Sequence, residues 1–205
     1  MSYKPIIFAT KNEHKLKEIN AILGAVGIEV ISMEEAGIDT DVEEDGLTFE
    51  ENAIKKAEEI MKATGEIVLA DDSGLEVDYL DKEPGIYSAR YGGVDTPYKI
   101  KNKLLIDRLE GVKESKRTAR FVCVIAAAFP EGNTMTTRGT IEGTIAFEAK
   151  GDNGFGYDPI LYVPEYKLTT GEMPSDLKNS ISHRGKALRA MREILEEYFT
   201  GNTNI

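Results

Sequence analysis

The sequence predicts an α/β protein in which helices pack on a mixed β-sheet. Two observations carry that expectation: apolar runs of strand length alternate with longer stretches of helical period, and 19 glycines are spread over the turns between them. With 41% hydrophobic and 30% charged residues in 205, the composition is that of an ordinary globular chain. A single domain spanning 1–205 is expected, with no repeat or linker.

The elements follow in order. "KPIIFAT" reads as a first strand, and "NEHKLKEINAILGAVG" as a helix whose stripe is Leu16, Ile19, Ile22, Leu23 and Val26. "IEVIS" is a short second strand. A second helix, "TFEENAIKKAEEIMKATG", has Thr48 and Glu51 spaced as a capping box and Gly65 as its stop. "EIVLA" is then a strand, "DDSG" a tight turn, and "LEVDYL" a returning strand with Leu75, Val77 and Tyr79 on one face. "TPYKIKNKLLIDRLEG" is a third helix with Thr96 as N-cap and Pro97 at its first position. Two long strands, "RTARFVCVIAAAF" and "TTRGTIEGTIAFEA", meet near "PEGNT", the second bent at Gly139 or Gly143. A glycine-rich loop, "KGDNGFGYDP", leads to the strand "ILYVP". The last helix runs over 182–199, with Leu188, Met191, Ile194, Leu195 and Tyr198 as its stripe.

Charge and length exclude some functions. A net charge of -11 argues against binding along a nucleic-acid backbone. No apolar run approaches the roughly 20 residues of a membrane span, and the N-terminus is too short for a secretory signal. A cytoplasmic protein is expected, and its one cysteine, Cys123, reads as a buried structural thiol. Two basic islands, "TKNEHKLK" and "LKNSISHRGKALRAMR", stand out against the acidity and could converge on one small anion.

Four constellations carry chemistry. At the end of the first strand, "FATKNEHK" opens a helix whose free N–H groups favour phosphate, with Thr10, Asn12 and Lys15 adding a hydroxyl, an amide and an ammonium. In "LADDSGLEV" the adjacent Asp71 and Asp72 point to opposite sides if the pleat persists; a hard divalent cation bound by one or two carboxylates would account for their cost. Glu43 or Glu44 of "DVEEDG" could reach the same ion. "NGFGYDP" offers Phe155 and Tyr157 as faces for a planar base and Asp158 as acceptor for its N–H. "SHRGKAL" places His183 and Arg184 in the first turn of a helix, where cations oppose the dipole and call for an anionic or carbonyl-bearing partner.

Taken together, "FATKNEHK", "GLTFEENAIKKA", "LADDSGLEVDYL", "PGIYSARYGG", "GFGYDPILYVP" and "SISHRGKAL" resemble the inosine triphosphate pyrophosphatase family over essentially the whole chain and in the family's order. The resemblance implies an elongated mixed sheet flanked by helices, in two lobes with a central cleft. It implies hydrolysis of ITP, dITP or XTP to the monophosphate and pyrophosphate, with Mg2+, by a homodimer. Carried over by motif, Thr10, Lys11, Asn12, Glu13, His14 and Lys15 would hold the triphosphate, while Glu43 and Asp72 would bind magnesium. Asp72 would also deprotonate the attacking water, and Ser73 would contact substrate. Lys56 would support the phosphates, its neighbour Lys55 being the alternative in register. Phe155, Gly156, Tyr157, Asp158, Lys178, His183 and Arg184 would line the base and sugar end.

Overall fold

The computed structural model describes residues 5–10, 12–24 and 27–201, and of His14 only the backbone. Among these residues, seven strands form one mixed sheet in the order β2-β1-β3-β4-β5-β6-β7: β1 (Ile6–Phe8), β2 (Val30–Ser32), β3 (Val68–Val77), β4 (Thr118–Ala128), β5 (Thr134–Ile145), β6 (Leu161–Val163) and β7 (Leu168–Thr169). β1 runs parallel to β2 and β3, whereas β6 is antiparallel to β5 and β7. Five α-helices accompany it: α1 (Glu13–Leu23), α2 (Phe49–Thr64), α3 (Tyr98–Arg108), α4 (Ser175–Ile181) and α5 (His183–Thr200). The expected mixed sheet with flanking helices is therefore present.

The chain packs as two compact units, the first made of Met1–Asp72, Cys123–Gly139 and Arg184–Ile205, the second of Ser73–Val122 and Thr140–His183. In the first, Ile19 and Leu23 of α1 and Leu188, Met191 and Leu195 of α5 pack with Phe8, Leu69, Cys123 and Ile125 of the strands. Each helix contributes the stripe its period predicts; Val26 lies outside the described residues. In the second unit, Leu75, Val77, Leu105, Phe121, Ile141, Tyr157, Leu161 and Met173 form a separate core.

α2 begins as its sequence predicts. Thr48 Oγ1 accepts from Glu51 N (3.1 Å), and the Glu51 carboxylate returns to Leu47 N (2.6 Å), one residue before the cap. Gly65 closes the helix at φ 68°, its N–H bonding to Met61 O.

Two expectations are corrected. β3 is unbroken from Val68 to Val77, so "DDSG" is strand and not turn. Both carboxylates and Gly74 are buried within it, and burial in a sheet overrides turn propensity. At α3 the cap position is Pro97, not Thr96, whose hydroxyl instead donates to Gly92 O (2.7 Å). Gly143 answers to close packing: a Cβ there would strike the Tyr162 carbonyl of β6. The short β7 and α4, too brief to show a period, went unread.

Candidate active site

The site residues fall into two clusters, one in each unit. In the first, β1 ends in a loop whose polar side chains shape the start of α1. Asn12 N donates to Thr10 Oγ1 (3.1 Å), and Lys15 N donates to Asn12 Oδ1 (3.4 Å), an N-cap arrangement. Glu13 is exposed at the first position of the helix. Lys11 and the side chain of His14 lie outside the described residues.

Within the first turn of α1, Lys15 reaches Asp71 Oδ1 at 2.9 Å. Arg184, from the first turn of α5, reaches Asp71 Oδ2 at 3.2 Å and Glu18 at 2.5 Å. These carboxylates are the anions that a guanidinium at a helix N-terminus requires. Arg184 thus shares Asp71 with the phosphate-loop lysine; only 2% exposed, it is held in the first unit, while His183 belongs to the second.

α2 supplies the other wall. Asn52 and Lys56 are one turn apart and share a face. Lys56 bonds Glu44 (2.6 Å) and the Asp71 carbonyl, and Asn52 Nδ2 donates to Asp72 Oδ2 at 3.0 Å. Asn52 Oδ1 accepts in turn from Gly46 N (2.8 Å), which fixes the amide's orientation. Lys55 points elsewhere, to Asp45, with Glu43 acting on it through charge. Lys56 and Glu44 thus lie with the aspartates, whereas Glu43 is exposed on the Lys55 side. A pocket of about 200 Å³ opens here, lined by Thr10, Lys15, Glu44, Lys56 and Asp71 among others.

The two aspartates differ electrostatically. Burial alone would raise the Asp71 carboxyl, but Lys15, Arg184 and Lys56 outweigh it and hold the group well below the usual carboxylate range. At Asp72 burial wins: helped by Glu44 and Asp71 and opposed by Lys56 and the Asn52 hydrogen bond, it pushes the carboxyl up to about 6. Lys56 is raised, because the charges of Asp71, Glu44 and Asp72 overcome its own burial. One aspartate is thus a fixed anion and its neighbour is poised to exchange a proton near neutrality.

The second cluster surrounds the glycine-rich loop. Asp158 is 3% exposed and turned inward: its carboxylate accepts from Phe155 N (2.7 Å), Lys178 Nζ (2.7 Å) and Thr170 Oγ1 (2.9 Å). It organises the loop, a different task from meeting a base. Gly154 is required beside it, since a Cβ would land on that carboxylate. Tyr157 is also no open platform; it is 4% exposed, lies edge-on to Tyr98 at 5.3 Å, and donates its hydroxyl to Ser88 O (2.7 Å). Phe155 remains half-buried, with the Lys178 ammonium 5.0 Å from its ring centre. Gly156 has φ 67°, and its carbonyl accepts from Asn102 Nδ2 (3.2 Å). His183 stacks on Phe121 at 5.0 Å, and Ser73 is half-buried in β3.

Sequence reading missed Asn52, Glu18, Ser88 and Asn102. For Asn52 a signal existed: an amide one turn before Lys56, next to Ala53, on the face that helix period buries.

Oxygen donors and ammonium groups gathered over a small pocket at a strand end define an α/β protein built to handle phosphate-bearing ligands. The Ham1 family model matches residues 6–194, and the chain belongs to that family. Its relatives include the dITP/XTP pyrophosphatase of Clostridium perfringens (strain 13 / Type A), 51% identical over 199 residues covering 94% of this chain and 98% of that one. That of Desulforamulus reducens is 52% identical over 194 residues, covering 95% and 96%. The solved Ham1 protein of Staphylococcus aureus superposes with a TM-score of 0.86 at 42% identity, covering 95% of this chain and 100% of that one. A HAM1 protein from Coxiella burnetii gives 0.87 at 41% identity, covering 95% and 100%. The family resemblance drawn from the motifs is thereby borne out.

Proposed function

We propose that this chain is a nucleoside-triphosphate diphosphatase that hydrolyses non-canonical purine nucleotides (ITP, dITP, XTP) to the monophosphate and pyrophosphate. The naming of its relatives supports the substrate class. The observation that carries the chemistry is the contrast between Asp71, held ionised by Lys15 and Arg184, and Asp72, raised to about 6.

A phosphoanhydride resists water mainly because charge builds on phosphoryl oxygens and the water is badly placed. Asp72, oriented by Asn52, accepts the proton of the attacking water at its carboxylate. Lys15 and Lys56 supply positive charge toward the phosphates from a position fixed by Asp71. The first turn of α1 adds its N–H groups.

Among the described residues no group of three or more His, Cys, Asp or Glu is placed to hold a metal ion. Mg2+ needs fewer, since it binds through one or two carboxylates with waters and substrate phosphates. Asp72 and Glu44 fit it: both are hard oxygen donors, and their mutual repulsion raises Asp72. When bound there, Mg2+ would neutralise charge on the phosphoryl oxygens.

At the base end, a carbonyl at purine position 6 meets a donor, where adenine would present its amino group. His183 takes that role, because the Arg184 guanidinium is engaged by Glu18 and Asp71. A donor facing a donor costs about 1–3 kcal/mol, or about 10- to 100-fold in rate. Homodimeric assembly and a cytoplasmic location complete the reading. The exposed Tyr87, Val94, Ile100 and Leu104, close in sequence, support the first. No described helix is long and apolar enough to cross a membrane.

The test is a panel of ITP, dITP, XTP, ATP and GTP with Mg2+ and identification of the released anion. Pyrophosphate from the first three is expected. Orthophosphate as the first product would reject the bond choice.

A further inference from the structure

We propose that Ser88 is a positioning residue that ties the strand bearing Asp72 and Ser73 to the loop that recognises the base. The proposal rests on the diphosphatase reading and extends it to the source of base discrimination.

Ser88 is 5% exposed, and its hydroxyl and carbonyl bond in different directions. Its hydroxyl accepts from Leu75 N (2.9 Å) and donates to Gly85 O (2.6 Å), so the proton's direction is fixed. Its carbonyl accepts from the Tyr157 hydroxyl at 2.7 Å. Successive residues of a strand alternate, so Ser73 and Leu75 present their N–H groups along one edge. Holding Leu75 N therefore fixes the edge along which Ser73 also lies. A buried amide left without an acceptor would cost about 1–3 kcal/mol, which gives the hydroxyl a real hold on β3.

The other end of the tie is the loop. Gly154 and Gly156, at φ 76° and 67°, leave it little stiffness of its own. Its position is set from outside: by Tyr157 on Ser88, by Asn102 on the Gly156 carbonyl, and by Asp158 with Lys178. Of these contacts, the Tyr157 bond is the one that leads to β3, through Ser88. Burial pushes the Tyr157 phenol up, so it stays a donor at physiological pH. The base-side loop and the strand of the reacting water are thus referenced to the same residue. A base that displaces the loop is felt at β3.

The test uses Ser88→Ala and Tyr157→Phe, singly and together, in the full chain. For each, kcat and KM are measured with ITP and with ATP. Either single change is expected to lower kcat/KM for ITP by about 10-fold, the worth of one buried hydrogen bond, while leaving that for ATP within about twofold, so that discrimination falls. The double variant is expected to lose little more than either single one, because both cut the same tie. Equal losses on ITP and ATP, or losses that multiply, would overturn the proposal. Amide hydrogen exchange of the unliganded protein gives an arm independent of activity: Ser88→Ala should speed exchange across 154–157 and leave β6 unchanged. Unchanged exchange in that loop overturns the tie even if no nucleotide is hydrolysed. Failure of the wild type on the substrate panel overturns only the diphosphatase reading. If Ser88→Ala does not fold, Tyr157→Phe, which removes one hydroxyl, reports on both arms.

Discussion

Asp71 and Asp72 are consecutive in one unbroken strand, yet Lys15 and Arg184 hold the first ionised while burial pushes the second up to about 6. Strand alternation makes this possible by sending the two side chains to opposite faces. Two like charges that would repel on a turn are separated by the sheet and given different partners.

Replacing Asp72 with Asn should lower kcat by about 10²–10⁴-fold, the range for a lost general base. The fold should not suffer. A carboxyl raised from about 3.9 to about 6 loses stability as pH climbs through that interval, on the order of 3 kcal/mol in total, so removing its charge is neutral or favourable at pH 7. Thermal unfolding in chelator should place the variant at or above the wild type. A clear fall in Tm would contradict the assignment.

The pH dependence of kcat/KM follows from the same group. Asp72 accepts a proton only when ionised, so at limiting Mg2+ the rate should fall about tenfold per pH unit below about 6. Raising Mg2+ should move that limb to lower pH, because a bound cation favours the carboxylate. An acid limb insensitive to Mg2+ would separate the base from the metal site.

Asp71→Asn should behave in the opposite sense on stability. Its depressed carboxyl contributes stability that is full above about pH 4 and is lost only as pH falls through its much lower folded value. Removing that charge strands Lys15 and Arg184, and the cost of breaking such a buried set is about 3–5 kcal/mol. Urea unfolding at pH 7 measures it.

Two neighbouring pairs test the register of the first cluster. Lys56→Ala and Glu44→Gln should each lower kcat/KM by at least about 10-fold, since both act on the aspartates. Lys55→Ala and Glu43→Gln should fall within about twofold of wild type, as the Lys55–Asp45 pair lies at the surface and is worth under about 1 kcal/mol, and Glu43 is exposed. The reverse pattern would restore the motif-derived Glu43.

Gly154→Ala places a Cβ on the Asp158 carboxylate and strains a residue at φ 76°. KM for ITP should rise about 10-fold or more with the Lys178–Asp158 pair displaced. An unaltered KM would show that the loop's shape is irrelevant to the base.

Much of this protein is decided locally. The capping of α2 by Thr48 and Gly65, the stripes of α1 and α5, and the long β4 and β5 follow from period and turn chemistry, which act between near neighbours. The phosphate loop and the carboxylate pair were legible for the same reason, as runs of residue types that a buried strand avoids.

What folding decided was which partner each charge meets. "DDSG" satisfies every local rule for a turn and is nevertheless strand, because sheet pairing and burial outweigh a propensity of about 1 kcal/mol. Nothing in the sequence says that Arg184 finds Asp71 across 113 positions, that Glu44 and not Glu43 faces Lys56, or that Tyr157 and Asp158 turn inward. Those pairings depend on long-range packing, and the shift of Asp72 away from its neighbour's value depends on burial, a property that only the assembled core confers.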